Sequence, residues 1–287
     1  MDGGAELLDR IQAANEDMKP YSPPEKTFIS FQLKEQRKKL LSEATTIGTD
    51  AYYTISGDTA VYTFDSFNQD VEAWKAYMAD RKELPDDAIG NLFEALEMAS
   101  SDPSIKNIVI DLTTNEGGYL GIAGFIYSLI TGESLVSEQL NTITGEVSKG
   151  SAICDINLDG KFDDADHAKL YDLNFGVLTS ACTFSSGNYL PVVLKDAGVA
   201  ILGERSGGGV CNLVQAATAD GIIITTSGNT KMVMGYGEPG YDELKVEGGA
   251  EPDIGLTSEG PDGATDYSKI YDLKLISEGM NSFYASA

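Results

Sequence analysis

Apolar residues are spaced in two distinct ways along the chain. Near the N-terminus, residues 5–18 put Leu7, Leu8 and Ile11 on one face, and residues 30–46 carry Phe31, Leu33, Leu40 and Leu41 among charges. Both stretches predict helices, separated by Pro20, Pro23 and Pro24. From about residue 51 the texture changes to β-type segments at 51–56 and 60–64, followed by helical spacing near 70–81 and 87–100. Residues 105–111 (IKNIVID) form a short apolar, β-branched run of the kind buried on both faces of a sheet. This run leads into Thr113-Thr114-Asn115-Glu116-Gly117-Gly118 and then an apolar helix. The same strand, turn, helix order recurs at 175–180, 181–186 and 187–196, so two strand-to-helix turns become candidates for chemistry. Beyond them lie a strand at 199–203, the loop Ser206-Gly207-Gly208-Gly209, short strands near 210–216, 221–226 and 230–235, and a closing helix over 266–284. The pattern predicts an N-terminal helical segment over 1–48 and a mixed α/β domain over 49–287, with an insertion at about 134–172.

Charge narrows the partners. The 287 residues include 45 acidic and 20 basic side chains, a formal charge of −25, which disfavours nucleic acid and anionic membrane surfaces. A hydrophobic share of 42% supports a sizeable core. No apolar run reaches the roughly 18 residues of a membrane span, and the longest, 119–130, is broken by glycines and a serine. The opening Met1-Asp2-Gly3-Gly4 lacks the basic and apolar regions of a secretion signal. Cys154, Cys182 and Cys211 are too few and too irregularly spaced for a disulfide framework or a zinc site, and are expected as buried thiols.

Residues 155–166 (DINLDGKFDDAD) place oxygen side chains at loop positions 1, 3, 5, 9 and 12, with glycine at position 6. That spacing lets one loop wrap a calcium ion. The ligand set would be Asp155, Asn157, Asp159, the Lys161 carbonyl, Asp163 and Asp166, and it resembles the loop of dockerin modules. A solvated acidic turn has the same composition. With a single loop, calcium is expected as a structural clip, and its usual millimolar supply points to an extracellular or cell-envelope location.

Three segments in order carry a family resemblance: IKNIVIDLTTNEGG at 105–118, GVLTSACTFSSGNYLPVVLKDAGVAILGERSGGG at 176–209, and VEGGAEPDIGL at 246–256. Together they resemble the tail-specific, or C-terminal-processing, serine proteases and their tricorn-like relatives. The resemblance implies a crotonase- or ClpP-like α/β core and a peptide or protein substrate, with Ser185 as nucleophile. It also implies an oxyanion hole built from the Ser186 amide and one from Gly117 or Gly118. A serine on a strand-to-helix turn is chemically suited to this, since free backbone N–H groups lie beside it. Local sequence alone also allows Ser185 and Ser186 to cap the helix, and Gly117-Gly118 to be a plain tight turn.

The base of that family is not intact. One branch uses a Lys in a Gly-Lys-Gly loop, which here reads Gly207-Gly208-Gly209. The other uses a His on an early strand, where Thr63 stands, assisted by a Glu that matches Glu247. Glu247 could equally be structural. The sole histidine, His167, is expected on the surface beside the acidic loop. Lys195 lies roughly 15 Å along the helix from Ser185 and cannot reach it. Lys231 and Lys245 depend on loop geometry, and Asp111 is expected as a turn residue. The leading expectation is a serine-type peptidase acting through an acyl-enzyme. Its alternative is a catalytically inactive homologue that binds peptide segments, and acyl-thioester chemistry is a third, weaker reading because no adenine-nucleotide signal is present.

Overall fold

The buried apolar runs become the middle of a seven-stranded sheet. The computed structural model describes residues 24–260 and 264–286, and the helix expected over 5–18 lies outside them. Helix α1 (Pro24–Ser42) precedes β1 (Thr45–Ile47), β2 (Ala51–Ser56) and β3 (Thr59–Phe64). Helices α2 (Val71–Asp80) and α3 (Ala88–Ser101) follow, then β4 (Asn107–Asp111), α4 (Leu120–Thr131), β5 (Val136–Asn141) and β6 (Val147–Ser151). The chain continues through β7 (Asn174–Thr179), α5 (Ser186–Asp196), β8 (Ala200–Gly203), β9 (Cys211–Ala217), β10 (Ile223–Val233) and the short α6 (Leu244–Glu247). It closes with β11 (Ile254–Gly255), β12 (Ser258–Glu259), β13 (Thr265–Asp266) and α7 (Leu273–Ser286).

The sheet order is β1-β2-β3-β4-β7-β8-β11, with antiparallel pairs at the β1 end and parallel pairing from β3 onward. Alternation along the central strands explains the layers. Ala60, Tyr62, Ile108, Ile110, Val177 and Ile201 face a core shared with α3, α4 and α5. Their neighbours Val61, Val109, Leu178 and Leu202 face a second core that holds Leu33 of α1 and Ile276 and Met280 of α7. Helix α1 is therefore packed into the molecule rather than appended to it, and its Arg37 is buried.

Some elements differ from expectation. The two strands predicted near 221–226 and 230–235 are one strand, β10, with an irregularity in its pairing to β9 between Ser227 and Lys231. It joins β5, β6 and β9 in a four-stranded antiparallel sheet, ordered β6-β5-β10-β9. The closing helix starts at Leu273, because residues 265–266 pair with β12 first. None of the three cysteines is fully buried; each is half-exposed and free of a disulfide. Among the described residues no helix is long and apolar enough to cross a membrane.

Candidate active site

The two strand-to-helix turns meet because β4 and β7 are adjacent parallel strands and both turns leave their carboxyl ends, the usual place for a site in such sheets. Hydrogen bonds join them. Ser180 Oγ donates to the Thr113 carbonyl at 2.6 Å, and Thr183 Oγ1 donates to the Leu112 carbonyl at 2.7 Å. The Phe184 amide donates to the Asn115 carbonyl at 3.0 Å.

Ser185 sits at the mouth of α5 with φ 57° and ψ −125°, and its side chain makes no cap hydrogen bond. A positive φ on a non-glycine residue costs energy and persists only where the surroundings enforce it. Here the Ser185 amide is held by the Gly208 carbonyl at 3.1 Å, and the Asn188 and Tyr189 amides both donate to the Ser185 carbonyl. Capping does not account for this serine. Half-buried Ser185 lines a cleft of about 450 Å³ with Gly118, Tyr119, Leu120, Cys211 and Lys231.

The double-glycine bend lies directly against it. A Cβ on Gly117 would fall 2.7 Å from Ser185 Cβ and 2.9 Å from the Ser186 nitrogen, so only glycine fits. Gly117 has φ 102° and Gly118 φ 142°. The Gly117 amide is occupied, donating to Asn115 Oδ1 at 2.8 Å. Among the described residues the amides of Gly118 and Ser186 have no protein acceptor, while Ser186 Oγ donates to the Gly118 carbonyl at 2.8 Å. Asn115 itself is fully buried, and its Nδ2 donates to the Phe64 carbonyl at 3.1 Å. Sequence reading passed over Asn115; the Asn-x-Gly-Gly order, in which an asparagine can bond the amide two residues on, was its signal.

The loop 206–209 and the Glu247 segment close the other side. Ser206 Oγ donates to Asn188 Oδ1 at 2.7 Å and accepts from the Ala250 amide at 2.7 Å, while Asn188 Nδ2 donates to the Val246 carbonyl at 2.9 Å. A Cβ at Gly208 would lie 2.1 Å from the Glu247 carbonyl oxygen, and one at Gly209 would lie 2.0 Å from the Phe184 ring. This loop has no room for a lysine. Oε2 of Glu247 is buried without a hydrogen-bond partner among the described residues, which is an expensive state for a carboxylate.

The remaining candidates are placed as follows. Thr63 is buried and donates to Asp111 Oδ2 at 3.1 Å, and Asp111 Oδ1 accepts from the Thr113 amide and hydroxyl, so Asp111 organises the turn. Burial pushes the Asp111 carboxyl above its ordinary range, against the pull of Arg37 and the Thr113 bonds. Lys195 pairs with Asp253, and Lys245 with Asp196. His167 is exposed. Lys231 lines the cleft, with its ammonium 3.3 Å from Glu243. Cys211, opposite Lys231 in the β9–β10 register, also lines the cleft, and burial pushes its thiol up. No side chain among the described residues hydrogen-bonds the Ser185 hydroxyl.

In the acidic loop, Asp155 accepts from the Asp159 and Gly160 amides, Asn157 from Asp159, Asp159 from Lys161, Asp163 from Ala165, and Asp166 from Ile156 and Asp163. Burial and the nearby Asp166 charge raise the Asp155 carboxyl. Among the described residues no group of three or more His, Cys, Asp or Glu side chains is gathered as a metal cage.

A family profile described as Peptidase family S41 matches residues 60–254, spanning both turns, the glycine loop and Glu247. The chain belongs to peptidase family S41. Members of S41 are serine peptidases. A search of curated proteins finds no match. Among solved structures, a peptidase from Parabacteroides merdae is similar at 16% identity and a TM-score of 0.57, over 88% of this chain and 70% of that one. Mature CPAF in complex with lactacystin is similar at 15% identity and a TM-score of 0.54, over 85% of this chain and 59% of that one. This chain thus spans less than two thirds of CPAF. At these identities the likeness is one of fold, and it agrees with the mainly parallel sheet described above.

Proposed function

We propose that this S41 member cleaves peptide or protein substrates through an acyl-enzyme on Ser185. The observation that carries the reading is the strained Ser185 at the helix mouth, pressed against Gly117 and flanked by the unengaged amides of Gly118 and Ser186. In the mechanism, the Ser185 oxygen bonds to the scissile carbonyl carbon as its hydroxyl proton passes to solvent water, the two amides take the negative charge that develops on the carbonyl oxygen, and the amine leaves carrying that proton; a second water then hydrolyses the ester and restores the hydroxyl. Gly117 shapes the hole and Gly118 supplies its donor. Glu247 and the lysine-free glycine loop favour the tricorn-like branch, in which that carboxylate assists a base.

A fluorophosphonate probe tests this directly. Covalent labelling of the chain, lost in Ser185→Ala, is the expected result; a folded protein that resists the probe over the whole pH range would refute it.

A second reading is favoured by one observation: no side chain bonds the Ser185 hydroxyl, and the positions for the family's His and Lys hold Thr63 and Gly208. A base ordinarily contributes about 10²–10⁴-fold, so a site without one holds extended peptides far better than it cuts them. Peptide binding that survives Ser185→Ala, with no turnover in the unaltered chain, marks this outcome.

We further propose that the loop 155–166 takes one calcium ion, which would draw its carboxylates away from the backbone amides they now accept, and that the protein works outside the cell or in its envelope. The spacing of five oxygen side chains about Gly160 supports this. Isothermal titration of chelator-treated protein should show one site, and heat unchanged by Asp155→Ala and Asp159→Ala would reject the ligand set.

A further inference from the structure

A second groove, of about 550 Å³, opens on the far side of Tyr119 and Leu120 from Ser185, and these two residues line both spaces. Its walls are Trp74 and Met78 of α2, Phe125 of α4, and Ile153 and Phe162 from the segment around the acidic loop. Phe162 is 68% exposed and Tyr119 67%, so large apolar surface stands in water at this spot. The charged side chain lining the groove is Asp155, and the chain as a whole carries −25.

The position matters more than the composition. Gly118, whose amide is unengaged beside Ser185, is followed at once by the Tyr119–Leu120 ridge. A peptide carbonyl held at that amide therefore lies next to the ridge. An extended peptide advances about 3.3 Å per residue, so crossing one side-chain ridge takes two or three residues. The groove and the cleft share Tyr119 and Leu120 as a common wall.

We propose that this groove is a second subsite for the peptide that reaches Ser185. It takes an aromatic or branched aliphatic side chain two or three residues from the scissile bond and rejects an acidic one. The inference rests on the peptide-cleaving or peptide-binding reading of the Ser185 cleft. It adds the substrate class, an apolar residue at a fixed offset, with neutral or basic surroundings favoured by the charge of the protein.

The test uses the Ser185→Ala protein, so that binding is read without turnover. Hexapeptides of alanine with a terminal lysine, carrying Phe, Leu or Glu at one position at a time, are titrated by calorimetry and by the fluorescence of Trp74, the sole tryptophan. Phe and Leu at one offset should bind at least about 10-fold more tightly than Ala or Glu and should perturb Trp74, consistent with burial of one large side chain. Gly121 also lines the groove, and a Cβ there meets nothing within 4 Å, so Gly121→Phe is chosen to occupy the space. It should reduce the Phe peptide to the affinity of the Ala peptide while the melting temperature is retained. Ile153→Asp, at an exposed position, serves as the second variant. Equal affinities across Phe, Ala and Glu, a silent Trp74, or indifference to both variants overturns the subsite. Probe labelling of Ser185 is scored separately on the unaltered chain: its failure removes the peptidase reading while leaving a discriminating titration intact.

Discussion

Asn115 ties three backbone segments of the candidate site together. Its side chain takes the Gly117 amide and gives to the Phe64 carbonyl, while its carbonyl takes the Phe184 amide. By occupying the Gly117 amide, it leaves that of Gly118 as the open donor of the bend. Asn115→Ala is expected to lower kcat about 10²–10³-fold, comparable to losing one oxyanion donor, with KM little changed. Steady-state kinetics on a peptide substrate checks this, and a loss confined to KM would contradict it. Asp111 offers a pH test. Its folded pKa is raised by burial above its ordinary 3.8, so the native state holds that proton more tightly than the unfolded chain. The carboxyl therefore favours folding at low pH, and its contribution fades as pH rises from about 4 through the raised value. Asp111→Asn keeps an acceptor for Thr113 and should flatten that slope in urea melts between about pH 4 and 7. An identical slope in the variant would remove Asp111 as its origin.

At the level of elements, the glycine loop explains why a lysine branch is closed to this chain. Gly208 has φ 77° and no space for a Cβ before the Glu247 carbonyl. Gly208→Ala should cost about 1–3 kcal/mol through backbone strain and displacement of α6, read as a lowered denaturation midpoint. Central elements were legible in the sequence for a physical reason. Strands buried on both faces read as unbroken β-branched runs, so β4 and β7, with the turns that follow them, could be located to within a residue or two. The β9–β10 ribbon is exposed along much of both strands, and its threonines and Gly228 read as a break, so one long strand looked like two. The pairing of that ribbon with β5 was not legible at all, since it joins segments far apart in sequence whose surfaces are mostly polar. Ser185, Ser186, Gly117, Gly118 and Glu247 were expected from motif, and the structure brings the serines, the glycines and the Glu247 backbone to one loop cluster. Asn115 and Tyr119 were not singled out because what marks them is what they touch in space, the Gly117 amide and Phe64 carbonyl for the one and the two neighbouring grooves for the other.

For the whole molecule, a charge of −25 means that self-repulsion works against the compact state. Raising the salt concentration from about 20 to 500 mM, which shortens the screening length several-fold, should raise the melting temperature by a few degrees. Calorimetric scans at the two salt levels check this, and a fall would show that specific ion pairs outweigh the net charge. Few of those pairs are sheltered: Arg37 with Asp65 joins a buried guanidinium to a half-exposed carboxylate, whereas pairs such as Lys75 with Glu72 are open to water and contribute little.

Arg37 has a wider consequence. It belongs to α1, yet it grips Asp65 at the end of β3 and also donates to Thr114, two residues before Glu116 and the paired glycines. The first described helix is thus a tether on the turn that leads to Gly117 and Gly118. Loss of α1 through Arg37 would remove that tether and leave Ser185 in place with the Thr114 turn unsupported, so trimming that reaches this far should lower probe labelling of Ser185 although the serine itself is retained.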